Sequence, residues 1–325
     1  MQVLPICCFG RQTAERTQIC EQNLTFFVIK LCPFRFRLTM FTFSTQPRSP
    51  SRSPMRYPGG KGFFAHSLAK MIEMNARTRV YAEPYAGGAS AALQLLADQK
   101  IDKVLLNDAD PRIFAVWKCI LQRNDEFVAL VKNTEVSMNT WYRCREIATS
   151  GVAEDQLDLA FATYFLNRTN RSGIVLGAGP IGGYEQAGNW SLDARYSKET
   201  MIDRIKWIGS QAQKINITSM DGLKFIQNCH AVYEKDALFL FVDPPYVAAG
   251  SRLYMNGMDE AAHKALAEQF KKMRESRWAL TYDDCELIRS LYQEFEITSL
   301  SVVYSLQKKR RANEVLVIPK SILNS

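Results

Sequence analysis

The chain has 325 residues, 47% of them hydrophobic, which excludes a disordered protein and leaves room for one large domain with an insertion, or for two domains. Its formal charge of +8 divides into +5 over residues 1–54 and +3 over 55–325, so a nucleic-acid face has to be a local patch and not a whole-protein field. The eight cysteines form no Cys-x-x-Cys pair, and His66, His230 and His263 lie far apart. No disulfide framework and no metal site are expected, and a reducing, intracellular setting such as the cytoplasm is.

Residues 1–54 carry no motif. The apolar run Leu24 to Phe43 is broken by Lys30, Pro33, Arg35 and Arg37, too often to span a bilayer, and no secretory cleavage site follows it. Its Arg-rich, acid-poor character also fits a transit peptide. Ser44 to Pro54 reads as linker. The expectation is a non-domain extension, or an upstream start assignment with Met55 as the true beginning.

From Arg56 the text changes. Arg56-Tyr57-Pro58-Gly59-Gly60-Lys61-Gly62 is a glycine-rich loop opening a helix of about Phe63 to Met74. Glycine permits close backbone approach, and Lys61 at a helix entrance favours an anionic group such as a carboxylate. The spacing is not that of a Walker loop, and alone such a stretch is more often a plain turn. A strand at Arg79 to Ala82 then runs into Glu83-Pro84-Tyr85-Ala86-Gly87-Gly88 and a helix ending near Ala97, the first unit of a nucleotide-binding α/β sheet. Without a Gly-x-Gly-x-x-Gly array the ligand reads as a nucleoside. The second strand, Lys103 to Leu106, ends in Asn107-Asp108, where a carboxylate either accepts from ribose hydroxyls or caps the following helix.

Residues 111–208 show helical periodicity, interrupted by Asn167 to Gly173 and by the glycine-rich Gly177 to Gly188. This predicts a helical insertion with a hairpin-like loop. Asn167, Arg168, Arg171, Tyr184 and Trp190 are residue types that read base edges or stack on bases, or else they form a solvated polar loop.

The sheet then resumes with Ile215 to Thr218, followed by Asp221; Ala237 to Val242; Trp278 to Tyr282; Phe295 to Tyr304; and Glu314 to Ile318. That makes seven strands, the last two an antiparallel hairpin joined by Gln307 to Arg311. Lys309 and Arg310 in that run are candidate phosphate contacts, although such runs are also plain solvated turns. The centre of the pattern is Phe239 to Tyr246, an apolar strand ending in Asp243-Pro244-Pro245-Tyr246. Asp243 offers carboxylate oxygens, Pro244 and Pro245 have no N–H, and Tyr246 offers a flat ring. Such a tip suits a ligand presenting an NH2 on a heteroaromatic ring, and it is also good turn chemistry.

Four stretches in this order, Arg56 to Lys61, Glu83 to Gly88, Leu106 to Asp108 and Asp243 to Tyr246, resemble the Dam-type family of adenine-specific DNA methyltransferases from about Met55 onward. The resemblance implies an α/β fold, a seven-stranded Rossmann-like methyltransferase sheet with a helical DNA-recognition insertion. Residues 55–110 and 209–325 would form the catalytic domain, with 111–208 as the insertion. It implies S-adenosylmethionine as cofactor, with Tyr57 and Lys61 at its methionine end, the loop carrying Glu83, Pro84, Gly87 and Gly88 beneath it, Asp108 on the ribose, Asp221 near the adenine, and Asp243 at the reacting end. Asp243, Pro244 and Tyr246 would be catalytic, holding the amine of a flipped base. Double-stranded DNA is the implied partner, with a companion restriction endonuclease where such an enzyme serves restriction–modification, no membrane, no metal, and a monomeric enzyme. Tyr85 stands where the family often has Phe and Ala89 where many members have Gly, and Arg252 to His263 match only loosely.

Neighbouring activities share the chemistry: RNA-adenine methylation, DNA cytosine-amino methylation and protein glutamine methylation. Asp243 favours adenine over the Ser-Pro-Pro-Tyr and Asn-Pro-Pro-Tyr patterns that those resemble. A non-catalytic DNA-binding regulator on the same fold is the alternative of a different class.

Overall fold

The computed structural model describes residues 51–57, 59–247, 257–305 and 309–323, leaving out the side chains of 301–305, 309–312 and 323. Expectations for residues 1–50, for Pro58 and for the loop after Val247 therefore lie outside the described residues.

Among these residues seven strands form one sheet: β1 (Val80–Glu83), β2 (Lys103–Asn107), β3 (Ile215–Thr218), β4 (Leu238–Val242), β5 (Arg277–Asp283), β6 (Glu296–Ser305) and β7 (Lys309–Ile318), in the order β3-β2-β1-β4-β5-β7-β6. The first five run parallel, while β7 pairs antiparallel with both β5 and β6. The sequence anticipates six of the strands within a residue at either end. The exception is β7, which begins at Lys309 because Lys309 to Asn313 pair with Ser301 to Ser305. The basic run expected as a loop is thus largely strand.

Helices cover both faces, as continuous apolar strands require. Every residue of β4 is buried, and its side chains alternate: Phe239 and Phe241 join one core, Leu238, Leu240 and Val242 the other. The first core is covered by α1 (Ala65–Glu73), α2 (Ser90–Ala97) and α3 (Pro111–Gln122), and the second by α8 (Gly222–Val232), α9 (Glu260–Lys272) and α10 (Glu286–Leu291). Each fully buried Phe or Leu contributes roughly 1.5–3 kcal/mol. A last turn, α11 (Lys320–Leu323), follows β7.

The insertion comprises α4 (Asn124–Asn133), α5 (Met138–Ser150), α6 (Gln156–Thr169) and α7 (Lys198–Ser210), with α3 packed against α6. It has no core of its own, because Trp117, Phe127, Trp141 and Phe165 belong to the same apolar cluster as Tyr81 and Phe241. Aspartate caps start several helices, Asp110 before Pro111, Asp155 before α6 and Asp221 before α8, each accepting from a backbone N–H. After α6 the chain turns back on itself. Asn170 bridges Pro180, the Arg171 N–H donates to the Gly179 carbonyl, and the Ile181 N–H to that of Thr169.

The packed region begins before Met55. Ser53 and Met55 are buried, the Arg204 guanidinium donates to the Ser53 carbonyl at 3.0 Å, and Arg52 lies 4.9 Å from the centre of the Trp207 ring. The composition change at Pro54 does not coincide with the edge of packing.

Candidate active site

In this sheet the strand order reverses between β1 and β4, and a crevice forms where the loops leaving those strands diverge. A cavity of about 280 Å³ lies there, walled by Glu83 and Gly88 after β1, Asp108 and Ile113 after β2, Asp221 and Leu223 after β3, and Phe241, Asp243 and Pro245 at β4. Tyr57 and Lys61 of the glycine-rich loop close one side, and Asn167 with Gly173 to Leu176 of the insertion another.

The turn after β1 is built from inside. Glu83 is 5% exposed and accepts from the Tyr81 hydroxyl at 3.0 Å and from the Ala92 N–H at 3.1 Å, tying β1 to the first turn of α2. Burial raises its carboxyl to about 8, although both of those hydrogen bonds pull downward. Gly87 has φ +46°, and a Cβ there would meet the Tyr57 ring at 2.8 Å. Its glycine requirement thus comes from Tyr57 as well as from backbone conformation. Ala89 takes a left-handed φ of 45° without being glycine. Pro84 and Gly87 sit behind the wall, outside the lining that includes Glu83 and Gly88.

Asp108 accepts from the Gly87 N–H at 2.9 Å and from the Asp110 N–H at 3.0 Å. Burial raises it to about 6 against those two bonds. The cap of the following helix is Asp110 and not Asp108, whose carboxyl instead holds the backbone ahead of that helix and lines the cavity. Beneath it Asn107, fully buried, joins three strand ends. Its amide donates to the carbonyls of Pro84 and Met220 at 2.9 Å each, and its oxygen accepts from Thr218 and the Met220 N–H.

The β4 tip holds a compact charge network. The Lys61 ammonium is 3.0 Å from Asp243 Oδ2 and 3.6 Å from Glu314 Oε2, and it donates to the Tyr246 hydroxyl at 2.8 Å. Tyr246 in turn reaches Asp243 Oδ1 at 3.0 Å and Glu314 Oε1 at 2.9 Å, while Thr281 donates to Asp243 Oδ1 at 2.6 Å. Burial, reinforced by Asp243 and Glu314, holds the Tyr246 phenol well above its ordinary range, so it remains a donor. Burial likewise keeps Glu314 above the usual carboxylate range, with Lys61 opposing. Lys61, expected at the cofactor's methionine end, has its ammonium on this tip. The Tyr246 ring packs 6.1 Å from Tyr282 with its hydroxyl directed inward, and it is Asp243 and Pro245 that line the cavity. Pro244 is buried.

The expected DNA-reading residues separate. Asn167 is 1% exposed, holds the Arg56 backbone on both sides and stands in the cleft wall, so its side-chain polar groups are taken up within the protein. Its position in the last turn of α6, pointing inward, is the reason. Arg168 donates to the Arg195 carbonyl through two nitrogens, at 2.9 and 2.6 Å. Burial lowers Arg56 to about 10, and the positive Arg168 and Arg195 add to that. Arg171 is exposed, and Tyr184 is 47% exposed with its ring edge-on to Trp141 at 5.7 Å. A Cβ at Gly179 would touch both of these side chains. Trp190 is 65% exposed with Arg195 5.8 Å from its ring. The side chains of Lys309 and Arg310 lie outside the description.

Sequence reasoning misses Glu314 and Thr281 as members of this network. For Glu314 the usable sign was a lone carboxylate heading the apolar run Val315 to Ile318, all of it buried.

A family model described as D12 class N6 adenine-specific DNA methyltransferase matches residues 57–306. The chain belongs to this family. As a D12-class enzyme it transfers a methyl group from S-adenosylmethionine to the N6 amine of adenine in DNA. Its cavity fits that cofactor chemically: apolar Phe241, Ile113 and Leu176 alternate with the carboxylates Asp108, Asp221 and Asp243, which suit hydroxyls, amino groups and a sulfonium charge. Among solved structures the D12-class chain is similar to an rRNA methyltransferase aviRa from Streptomyces viridochromogenes, at 12% identity over 83% of this chain and 89% of that one, with a TM-score of 0.36. It is also similar to a SAM dependent methyltransferase from Agrobacterium tumefaciens, at 10% identity over 80% and 61%, with a TM-score of 0.37. Both likenesses are too distant to inform the site. No curated protein matches in sequence. Among the described residues no cluster of three or more His, Cys, Asp or Glu side chains is arranged to hold a metal, and no helix is long and apolar enough to cross a membrane.

Proposed function

We propose that this methyltransferase acts at specific sites in double-stranded DNA, taking the target adenine out of the helix and holding its amine at the β4 tip. The supporting observation is that Asp243 and Pro245 open into the same cavity as Tyr57, Asp108 and Asp221, so the amine site adjoins the nucleoside site. When bound, S-adenosylmethionine supplies an electrophilic methyl group. Tyr57, Glu83, Gly88, Asp108 and Asp221 are the residues that hold it, with Pro84 and Gly87 shaping the turn behind them.

An aromatic amine is a weak nucleophile because its lone pair is delocalised into the ring. Acceptors at the Asp243 carboxylate and the Pro244 carbonyl, taking its two N–H groups, localise that pair and stabilise the positive charge that develops on nitrogen. The two carboxyl groups of Asp243 and Glu314 beside the single Lys61 ammonium favour such a transition state. Tyr246 bounds the place of the flipped base. Arg171 and Tyr184, exposed and adjacent, are the base-reading candidates; Arg168, beside Arg56 and Arg195, is the phosphate candidate, as are Lys309 and Arg310. The enzyme works as a monomer in the cytoplasm, and a companion restriction endonuclease completes it where it serves restriction–modification.

Modified-base mapping of DNA from cells expressing the protein tests this reading. The expected result is N6-methyladenine confined to one sequence motif. Methylation of cytosine, methylation of RNA alone, or no modification by a protein that binds the cofactor would overturn it.

A further inference from the structure

Glu314 is 1% exposed, on a strand whose next four residues are apolar and buried. Because β7 runs antiparallel to β5, the pairing of Asp283 with Glu314 places this residue at the carboxyl edge of the parallel strands, level with the β4 tip. A carboxylate in that position is a poor stabilising device, since burying an ion pair gains little over apolar packing. Its contacts are the active-site groups themselves, the Tyr246 hydroxyl at 2.9 Å and the Lys61 ammonium at 3.6 Å.

The Tyr246 hydroxyl has one proton and two carboxylate acceptors, Asp243 Oδ1 and Glu314 Oε1, at nearly equal distances. Lys61 is likewise shared between the two carboxylates. The single Tyr246 proton, when Glu314 takes it, is not taken by Asp243, whereas the Lys61 ammonium divides its charge between the two. Resting on the role of Asp243 given above, we infer that Glu314 is a positioning residue for methyl transfer: it draws the Tyr246 proton and part of the Lys61 charge away from Asp243, leaving that carboxylate able to accept from the target amine. Glu314 never touches the substrate in this arrangement. Without its charge, Tyr246 and Lys61 both turn onto Asp243, which becomes a weaker acceptor while the cleft and the DNA face stay unchanged.

The experiment compares wild type, Glu314→Gln, Glu314→Asp, Asp243→Asn and the Glu314→Gln/Asp243→Asn double variant in single-turnover methylation, with cofactor and DNA affinities measured on the same preparations and thermal melting as the folding check. Glu314→Gln keeps an oxygen for the Tyr246 hydroxyl but no charge. Its methylation rate is expected to fall about 10- to 100-fold, within the range seen for loss of one preorganised electrostatic group, with both affinities within about twofold of wild type. Glu314→Asp, which restores the charge, recovers part of the rate. In the double variant the Glu314 substitution has little further effect, because its action runs through Asp243. A Glu314→Gln enzyme that is folded and methylates within twofold of wild type, or substitutions whose effects simply multiply, overturns the inference alone. A folded wild type that binds cofactor and DNA but methylates no adenine overturns the parent reading and this inference with it.

Discussion

Asn167 holds both polar groups of the Arg56 backbone, accepting from its N–H at 2.8 Å and donating to its carbonyl at 2.7 Å. The same amide donates to the Gly173 carbonyl at 2.7 Å. One side chain of α6 thereby ties the glycine-rich loop that carries Tyr57 and Lys61 to the turn that closes the cleft.

Replacing Asn167 by alanine leaves these backbone groups without their partner, which costs about 1–3 kcal/mol for a buried site. Cofactor affinity is expected to weaken while the DNA sequence preference stays as it was. Calorimetric cofactor titration and modified-base mapping of Asn167→Ala check both halves. A relaxed target motif with normal cofactor binding would return Asn167 to the DNA face.

Asp243→Ala removes the acceptor of the target amine, so single-turnover methylation is expected to drop on the order of 100- to 1,000-fold with DNA affinity little changed. Tyr246→Phe keeps the ring but removes a hydroxyl shared by Lys61, Asp243 and Glu314. Its rate should fall about tenfold, less than for Tyr246→Ala, which also loses the aromatic surface. Near-parental methylation by Asp243→Ala would reduce the strand tip to a turn.

Arg168→Ala should weaken binding on all sequences and lower the salt slope by about one, the signature of a lost phosphate contact. Arg171→Ala should instead cost about 1–3 kcal/mol on the preferred site and relax specificity at one position. Binding isotherms at several salt concentrations, on cognate and scrambled duplexes, separate the two outcomes. Identical behaviour of the two variants would refute this division of labour.

Glu83 gives a pH signature. Burial raises its carboxyl from 4.5 in the unfolded chain to about 8, so the native state binds the extra proton. Its contribution is fully present below pH 4.5, and stability declines as pH rises through the window up to about 8. Glu83→Gln carries no titrating group, so its melting temperature should gain on wild type between pH 6 and pH 9. A constant difference across that range would mean that Glu83 is already ionised in the native protein.

The packing of residues 51–54 on α7 is open to a direct comparison of chains starting at Ser51 and at Met55. The shorter chain loses the Arg52 contact with Trp207 and the Ser53 carbonyl that Arg204 binds. A loss of about 1–3 kcal/mol in denaturant unfolding is expected. Equal midpoints and slopes would restore the boundary that the composition of the chain suggests.

The sheet was legible because most of the parallel strands are short apolar runs bounded by polar residues, with Asp108 and Asp243 directly after β2 and β4 and Asp221 three residues past the end of β3. Local text misled where a helix ran through polar residues. Asn167, Arg168 and Thr169 looked like a loop, yet α6 continues to Thr169 and turns Asn167 inward. Glu314 was hidden for another reason: its meaning depends on Lys61 and Tyr246, which only strand pairing brings near. A single carboxylate at a strand start gives no hint of that.

The left-to-right order of the chain also has a meaning for how the enzyme comes into being on the ribosome. Lys61 emerges early, the cleft walls and Asp243 follow, and Glu314 arrives only with β7, the last strand among the described residues to leave the exit tunnel. Until that hairpin docks against β5, the corner around Asp243 lacks one of its two carboxylates. Completion of that corner thereby waits for β7, and a chain that stopped inside β6 would lack Glu314 altogether.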